Sequence, residues 1–357
     1  MKWLDLIHRW TGGLVGLVLG MMGLTGAILV HEDAWLGWTL PHAGDALNRD
    51  PAALAAVTTR LIGDGHGVQG IVYASDGFGL HQLRLSGGAG AYADQAGAIV
   101  TRWGSQWERP ELWLFDLHHH LFTGDVGETV IGIAGLCAVL FVVTGTILWW
   151  RTRRTFAFRL WPKRMSRPAI VMQHRDLGIV MAPLLLLSAV TGTMMIFKPV
   201  AAIVMAPFSS PAQARAAMAP PKLSGGALAA HPDWAAMLAT AHARFPDADF
   251  RTLTLPRKPG EPISFRMRRA AEWLPNGRTM LWFDAATGRL LAARDALALP
   301  RGAQVFNTAY PLHAAKVGGL AYRLVMTCSG LAMAMLGSFA VWSFWFRRPR
   351  LKPRRAV

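Results

Sequence analysis

The chain has 357 residues, of which 52% are hydrophobic and only 16% charged, and its formal net charge is +16. An excess this basic invites a nucleic-acid partner. However, eight Lys/Arg fall in Arg151–Arg175 and six in Arg347–Val357, short acid-free segments beside apolar runs, where the positive-inside rule accounts for them and argues against nucleic acid. The two cysteines, Cys137 and Cys328, lie inside apolar runs and no Cys-x-x-Cys-His occurs, which excludes covalently attached haem and thiolate zinc or iron–sulfur centres.

Four apolar runs, Leu14–Val30, Ile131–Trp150, Leu177–Phe197 and Leu324–Phe346, carry no Asp, Glu, Lys or Arg and approach the roughly 20 residues that cross a bilayer. Residues 1–30 therefore form a first span. It is retained as an anchor, because no Ala-x-Ala cleavage site follows Val30. Residues 31–130 form a first exported lobe, with a helix over Pro51–Ile62 and a hairpin in which Leu80–Leu85 and Ala91–Asp94 precede an Asp94-x-x-Gly97 turn and Ile99-Val100. The second span covers 131–150, a basic cytoplasmic loop 151–176, and the third span 177–197. A second exported lobe, 198–321, holds an Ala- and Pro-rich linker at Ala206–Pro221 and a helix at Asp233–Arg244. Its strands are Ile263–Met267, Met280–Asp284 and Leu290-Leu291, joined through an Asp284-to-Gly288 turn. The fourth span, 322–346, leads into a basic cytoplasmic tail, 347–357. The fold class expected is a membrane protein: a four-helix transmembrane bundle with two exported α+β lobes, both termini in the cytoplasm. Residues 31–130 hold 12 acids against 5 Lys/Arg, and residues 198–318 hold 15 Lys/Arg against 7 acids. Either the lobes pack against each other or the basic one attracts an anionic ligand.

The spans repeat. His8-Arg9 precedes Gly26 by the same interval that separates His174-Arg175 from Gly192, and the interval from His118 to Gly135 equals that from His313 to Gly330. Four helices with four matching histidines suggest two metal-centred pairs inside a bundle, His8 with His174 and His118 with His313. His118 opens a His118-His119-His120 run. Neighbours on a helix point about 100° apart, so one of the three addresses a given metal; the repeat selects His118, and a local irregularity would select His119 or His120. His31 has Phe197 as its repeat partner, so symmetry gives it no ligand role, though it can border a cofactor, meet a substrate or replace a ligand. Gly12, Gly16, Gly20, Gly23 and Gly26 line one helix face, which suits helix packing and a flat cofactor equally.

Taken together, His8-Arg9-Trp10-x-Gly12, Leu117-His118-His119 before Gly124-Asp125-Val126-Gly127, His174-Arg175-Asp176-Leu177-Gly178 and the two hairpins resemble the PepSY-associated transmembrane family over nearly the whole chain. Some members are di-haem reductases of the bacterial inner membrane that release iron from ferric siderophores. The resemblance implies two b-type haems with His8, His174, His118 and His313 as axial ligands, Arg9 and Arg175 on the propionates, and His31 and His119 beside a haem. It further implies one-electron reduction of a ferric siderophore or other Fe(III) chelate between the lobes, with Arg266, Arg268 and Arg269 steering an anionic chelate. No Gly-x-Gly-x-x-Gly fingerprint follows a strand, so electrons come from a separate cytoplasmic reductase or from membrane quinol. Arg-rich flanks are left to meet membrane lipid. The alternative is a haem-free regulator or chaperone whose lobes bind a peptide or a protease. A transporter is disfavoured, since the spans hold no carboxylate or lysine and no helix interruption beyond Pro183.

Overall fold

The computed structural model describes residues 2–63 and 67–346, so the basic tail expected at 347–357 lies outside the described residues. In chain order, α1 (Lys2–Leu29), α2 (Glu32–Thr39) and α3 (Pro51–Gly63) lead into β1 (Gly70–Val72), β2 (His81–Arg84), β3 (Gly90–Ala93) and β4 (Ile99–Trp103). Then come α4 (Pro110–His120), α5 (Asp125–Thr152), α6 (Arg167–Ile196), α7 (Lys198–Met205), α8 (Pro211–Met218) and α9 (Trp234–Arg244). The chain closes with β5 (Ala248–Thr254), β6 (Ile263–Arg269), β7 (Thr279–Phe283), β8 (Leu290–Arg294), α10 (Arg301–His313) and α11 (Gly319–Trp345). Two compact units interleave in sequence. One takes the chain up to Val30, Phe115–Phe197 and the chain from Leu312; the other takes His31–Leu114 and Lys198–Pro311.

The first unit is the helical one. Helices α1, α5, α6 and α11 are each long and apolar enough to cross a membrane. Helix α1 starts at Lys2, well before the apolar run at Leu14, so the short first span expected from composition is a 28-residue helix of about 42 Å. It packs on α11 through small residues. A Cβ at Gly16 would stand 2.8 Å from the Gly337 carbonyl oxygen, and one at Gly20 would stand 3.3 Å from that of Ala334. Backbone contact of this kind is how helices associate where lipid removes the hydrophobic drive between them. Leu19 of α1, Ala134 and Ala138 of α5 and Ala189 of α6 form one shared core; Leu177 of α6 with Ala332 and Leu336 of α11 form another. Before α6 the chain is clamped by Asp176. Its carboxylate is fully buried, pairs with Arg159 and Arg175, and accepts from the Ala157 N–H at 3.3 Å.

In the second unit the two expected α+β lobes share a single sheet. All eight strands join one antiparallel sheet in the order β4-β3-β2-β1-β5-β6-β7-β8. Each half is a four-strand meander, and the halves meet where β1 pairs with β5, Ile71 opposite Leu253. Left apart, β1 and β5 would each expose a row of unpaired backbone groups, and joining them removes both edges. Helices α3 and α9 cover one face over a common core that includes Leu61, Ile71, Leu83, Met237, Leu238, Leu253, Phe265 and Phe283. The turns expected at Asp94 and Asp284 form as read. Each carboxylate accepts two nearby N–H groups, and Gly97 and Gly288 take the positive φ that closes the hairpin (88° and 69°). Within the expected linker Ala206–Pro221 the structure has helix α8, started by Pro211.

Candidate functional site

Two pairs of imidazoles stand in the helical unit. His8 on α1 faces His174 on α6, ring centroids 6.2 Å apart and planes at 87°. His118 at the end of α4 faces His313 at the end of α10, centroids 6.3 Å apart and planes at 58°. The sites lie far apart: His8 and Thr25, which borders the second pair, are separated by about 26 Å along the axis of α1.

Three of the four rings are seated by a threonine. Nδ1 of His8 lies 2.8 Å from Thr144 Oγ1, and Nδ1 of His118 lies 2.7 Å from Thr25 Oγ1. Nδ1 of His313 lies 3.2 Å from Thr191 Oγ1 and 3.0 Å from the Ser188 carbonyl. For His174 no threonine among the described residues takes this place: its ring faces His8 alone among the four imidazoles. The threonines decide the tautomer. Each hydroxyl already donates its one proton to a carbonyl of its own helix, Thr144 to Leu140 at 2.7 Å, Thr25 to Met21 at 2.9 Å and Thr191 to Leu187 at 2.6 Å. The oxygen can then only accept, so the imidazole must carry its proton on Nδ1 and leave the Nε2 lone pair open. The residue after each threonine is a glycine. A Cβ at Gly26 would lie 3.2 Å from Cε1 of His118, one at Gly192 3.0 Å from Cε1 of His313, and one at Gly145 3.4 Å from Cε1 of His8. Thr-Gly is thus a seat for a ring, an acceptor for Nδ1–H beside a missing side chain.

The donor set fits a haem iron. A neutral imidazole with Nδ1–H held by a second partner is the form that ligates metals. An atom midway between two imidazole nitrogens at about 2 Å from each would space the ring centroids by roughly 6 Å, which both pairs meet. Among the described residues no group of three or more His, Cys, Asp or Glu could hold a metal ion. Each site therefore offers two protein donors, enough for the axial positions of a porphyrin iron and too few for a zinc centre.

The other expected residues are more dispersed. His119 stacks on Phe115 at 4.2 Å and His120 Nδ1 contacts Asp116 at 2.9 Å, so of the triple run only His118 faces His313 directly. His31 belongs to the sheet unit, where its carbonyl starts α2 by accepting from Ala34 and Trp35. Arg9 pairs with Asp5 at 3.4 Å on an exposed face. Arg175 is committed to Asp176 and to Thr155, donating to both its hydroxyl and its carbonyl. The three arginines of β6 separate in role: Arg269 pairs with Asp247 and Asp295, Arg268 donates to the Glu272 carbonyl, and Arg266 makes no side-chain hydrogen bond among the described residues. The glycine stripe of α1 divides too, Gly16, Gly20 and Gly23 meeting α11 and Gly26 meeting His118. Sequence reasoning missed Thr144-Gly145, although Val-Thr-Gly-Thr occurs twice, at 143–146 and 190–193, and both copies seat a histidine.

No curated protein matches the chain. The family described as PepSY-associated TM region matches residues 6–348. With four helices long enough to span and a match of that extent, the chain is a multi-pass membrane protein that belongs to the PepSY-associated TM region family.

Proposed function

We propose that this chain binds two b-type haems, one between His8 and His174 and one between His118 and His313, and reduces a ferric siderophore or other ferric chelate outside the bacterial inner membrane to release Fe(II). The observation that carries the reading is the pair of facing imidazoles found twice, with the Nδ1 of His8, His118 and His313 each held by a threonine. A haem with both axial positions taken by imidazole supplies one-electron transfer in place of oxygen binding. The chain's own residues fix ring orientation and tautomer, and the apolar helices around them exclude water. The basic loop after α5 is assigned to the cytoplasm, which puts His8 and His174 near that face and the sheet unit outside. Reduction of Fe(III) weakens its hold on hard oxygen ligands, so a siderophore gives up its iron. Electrons come from a cytoplasmic reductase or membrane quinol.

The test is an optical spectrum of the detergent-purified protein, oxidised and reduced, with haem quantified as pyridine haemochrome. Sharp b-type bands at about two haems per chain are expected. A colourless protein from haem-replete cells would remove the proposal and leave a haem-free regulator that binds peptide or a protease.

A further inference from the structure

The sheet has a second face, opposite the one that α3 and α9 cover, and it carries an unusual charge pattern. Residues alternate across the sheet, so the partners of Phe265 and Leu281 on the core side are Arg266 and Met280 on the other. The register places Gln82, Val72, Thr252, Arg266, Met280 and Arg294 in one row across the strands, and Arg84, Gly70, Thr254, Ser264 and Trp282 in the next. Arg278, just ahead of β7, extends the same face. Arg266 and Arg294 are two strands apart, about 10 Å between backbones, well within the reach of two arginine side chains toward one ligand.

No acid forms an ion pair with these arginines among the described residues, and Glu272 acts on Arg266 and Arg278 only from a distance. Arg84 and Arg266 make no side-chain hydrogen bond or ion pair among the described residues. Arg294 gives one terminal nitrogen to the Ala217 and Ala219 carbonyls, and its Nε is buried without a partner among the described residues. Among the described residues the Arg278 side chain reaches only the neutral Asn307, at 3.3 Å through Nε. The nearby acid, Glu272, is occupied by the backbone N–H groups of Arg269 and Arg278 and the hydroxyl of Thr279. Loss of water, followed by neighbouring positive charge, pulls all four guanidinium groups below their usual range: Arg257 acts on Arg84, Arg278 and Arg84 on Arg266, Arg294 on Arg278, and Arg266 on Arg294, with Glu272 partly opposing the fall at Arg266 and Arg278. Arg251 in the same sheet shows the contrasting case, with its donors used on the Ala74 and Pro275 carbonyls and on Asn276. Between Arg84 and Arg266 the floor is small and hydroxylated: Gly70 has no side chain, and the hydroxyls of Thr252, Thr254 and Ser264 make no hydrogen bond among the described residues.

We propose that this face binds a small, multiply charged oxyanion, held by Arg84 and Arg266 over the hydroxyls of Thr252, Thr254 and Ser264, with Arg278 and Arg294 adding positive charge beside Arg266. Guanidinium forks match carboxylate and phosphate oxygens alike, and a cluster of unpaired like charges is relieved by an anion carrying two or more. The site stands whether or not the helical unit binds haem.

The test is calorimetric titration of the full chain in detergent at low salt, with citrate and with pyrophosphate as probes and acetate as the singly charged control. One saturable site for citrate, pyrophosphate or both is expected; a response to one alone identifies the ligand as carboxylate or phosphate. Arg266→Gln and the exposed Arg84→Gln should each weaken binding by about tenfold or more. Arg60→Gln, on the helix covering the other face, should leave it unchanged. The haem spectrum, or the thermal melt if the protein is colourless, reports that each variant is folded. No saturable binding of either probe, or binding unchanged in the folded Arg84→Gln/Arg266→Gln double variant, would overturn the proposal.

Discussion

The two histidine sites are built from the same repeat and are not built alike. At His118 and His313 the repeat is kept in full: Thr25 and Thr191 occupy equivalent places after His8 and His174, and each seats one ring beside a glycine. At His8 and His174 the symmetry breaks. Thr144 seats His8, but the equivalent place on α11 is Phe339, which offers His174 no hydroxyl. Duplication thus delivers matched imidazoles, while the hydroxyl that orients the ring is not kept at every copy, and at His313 the Ser188 carbonyl stands beside it. A side-chain seat can be removed by substitution and a carbonyl cannot, so the difference between the sites is open to mutation.

The largest effect belongs to the imidazoles. His118→Gln or His313→Gln should lower bound haem from about two per chain to about one and leave the His8–His174 site spectrally intact, and His8→Gln or His174→Gln should do the converse. Because His119 stacks on Phe115, His119→Ala should keep both haems. Loss of a haem in that variant would move the ligand along the run. The glycines come next. A valine at Gly192 would drive its side chain into the His313 ring, whereas one at Gly145 meets His8 from slightly farther away. Gly192→Val should abolish the second site, and Gly145→Val should weaken the first with some haem retained, as read by haem stoichiometry.

The spans and the four histidines are legible in the sequence because composition and spacing carry them directly: apolar runs without charge, and histidine-to-glycine intervals kept from one copy to the next. The union of the two halves into one sheet is not. It depends on β1, a strand too short to show alternation, and on β5, whose Phe250-to-Thr252 irregularity breaks the period. The arginine face is half legible. Sequence singles out Arg266 beside Arg268 and Arg269, but only tertiary structure shows that Arg269 is consumed by Asp247 and Asp295, and that Arg84, from the other half of the sheet, shares the face with Arg266.

His81 sharpens the comparison as a buried histidine with the opposite tautomer. The Ala74 N–H donates to its Nδ1 at 3.0 Å, so the proton sits on Nε2, which is buried without a partner among the described residues and offers no lone pair to a metal. Burial, partly opposed by Asp94, pushes its pKa down to about 4. The unfolded chain binds a proton near pH 6.5 that the folded chain refuses until about pH 4, so this contribution is present in full above pH 6.5 and is lost as pH falls through that window. The loss amounts to about 3 kcal/mol. Thermal melts from pH 7 to pH 4 should show a fall that His81→Gln reduces; an identical profile in the variant would assign the acid sensitivity elsewhere.

The smallest effects, and the ones that separate the two sites most finely, come from the threonines. Removing the acceptor of a ligand imidazole typically costs about 10- to 100-fold in metal affinity. Thr25→Val should incur that cost, because Nδ1 of His118 has its partner at Thr25, and Thr144→Val should do the same to His8. Thr191→Val should cost less than about tenfold, because the Ser188 carbonyl still accepts from Nδ1 of His313 at 3.0 Å. A midpoint potential distinguishes orientation of the ring from general packing: loss of the Nδ1–H acceptor makes the imidazole a weaker donor and raises the potential of its own haem alone. Thr25→Ser, which keeps the oxygen, should restore both affinity and potential. If Thr191→Val and Thr25→Val shift their haem equally, the carbonyl does not substitute for the hydroxyl, and the asymmetry between the sites must have another origin.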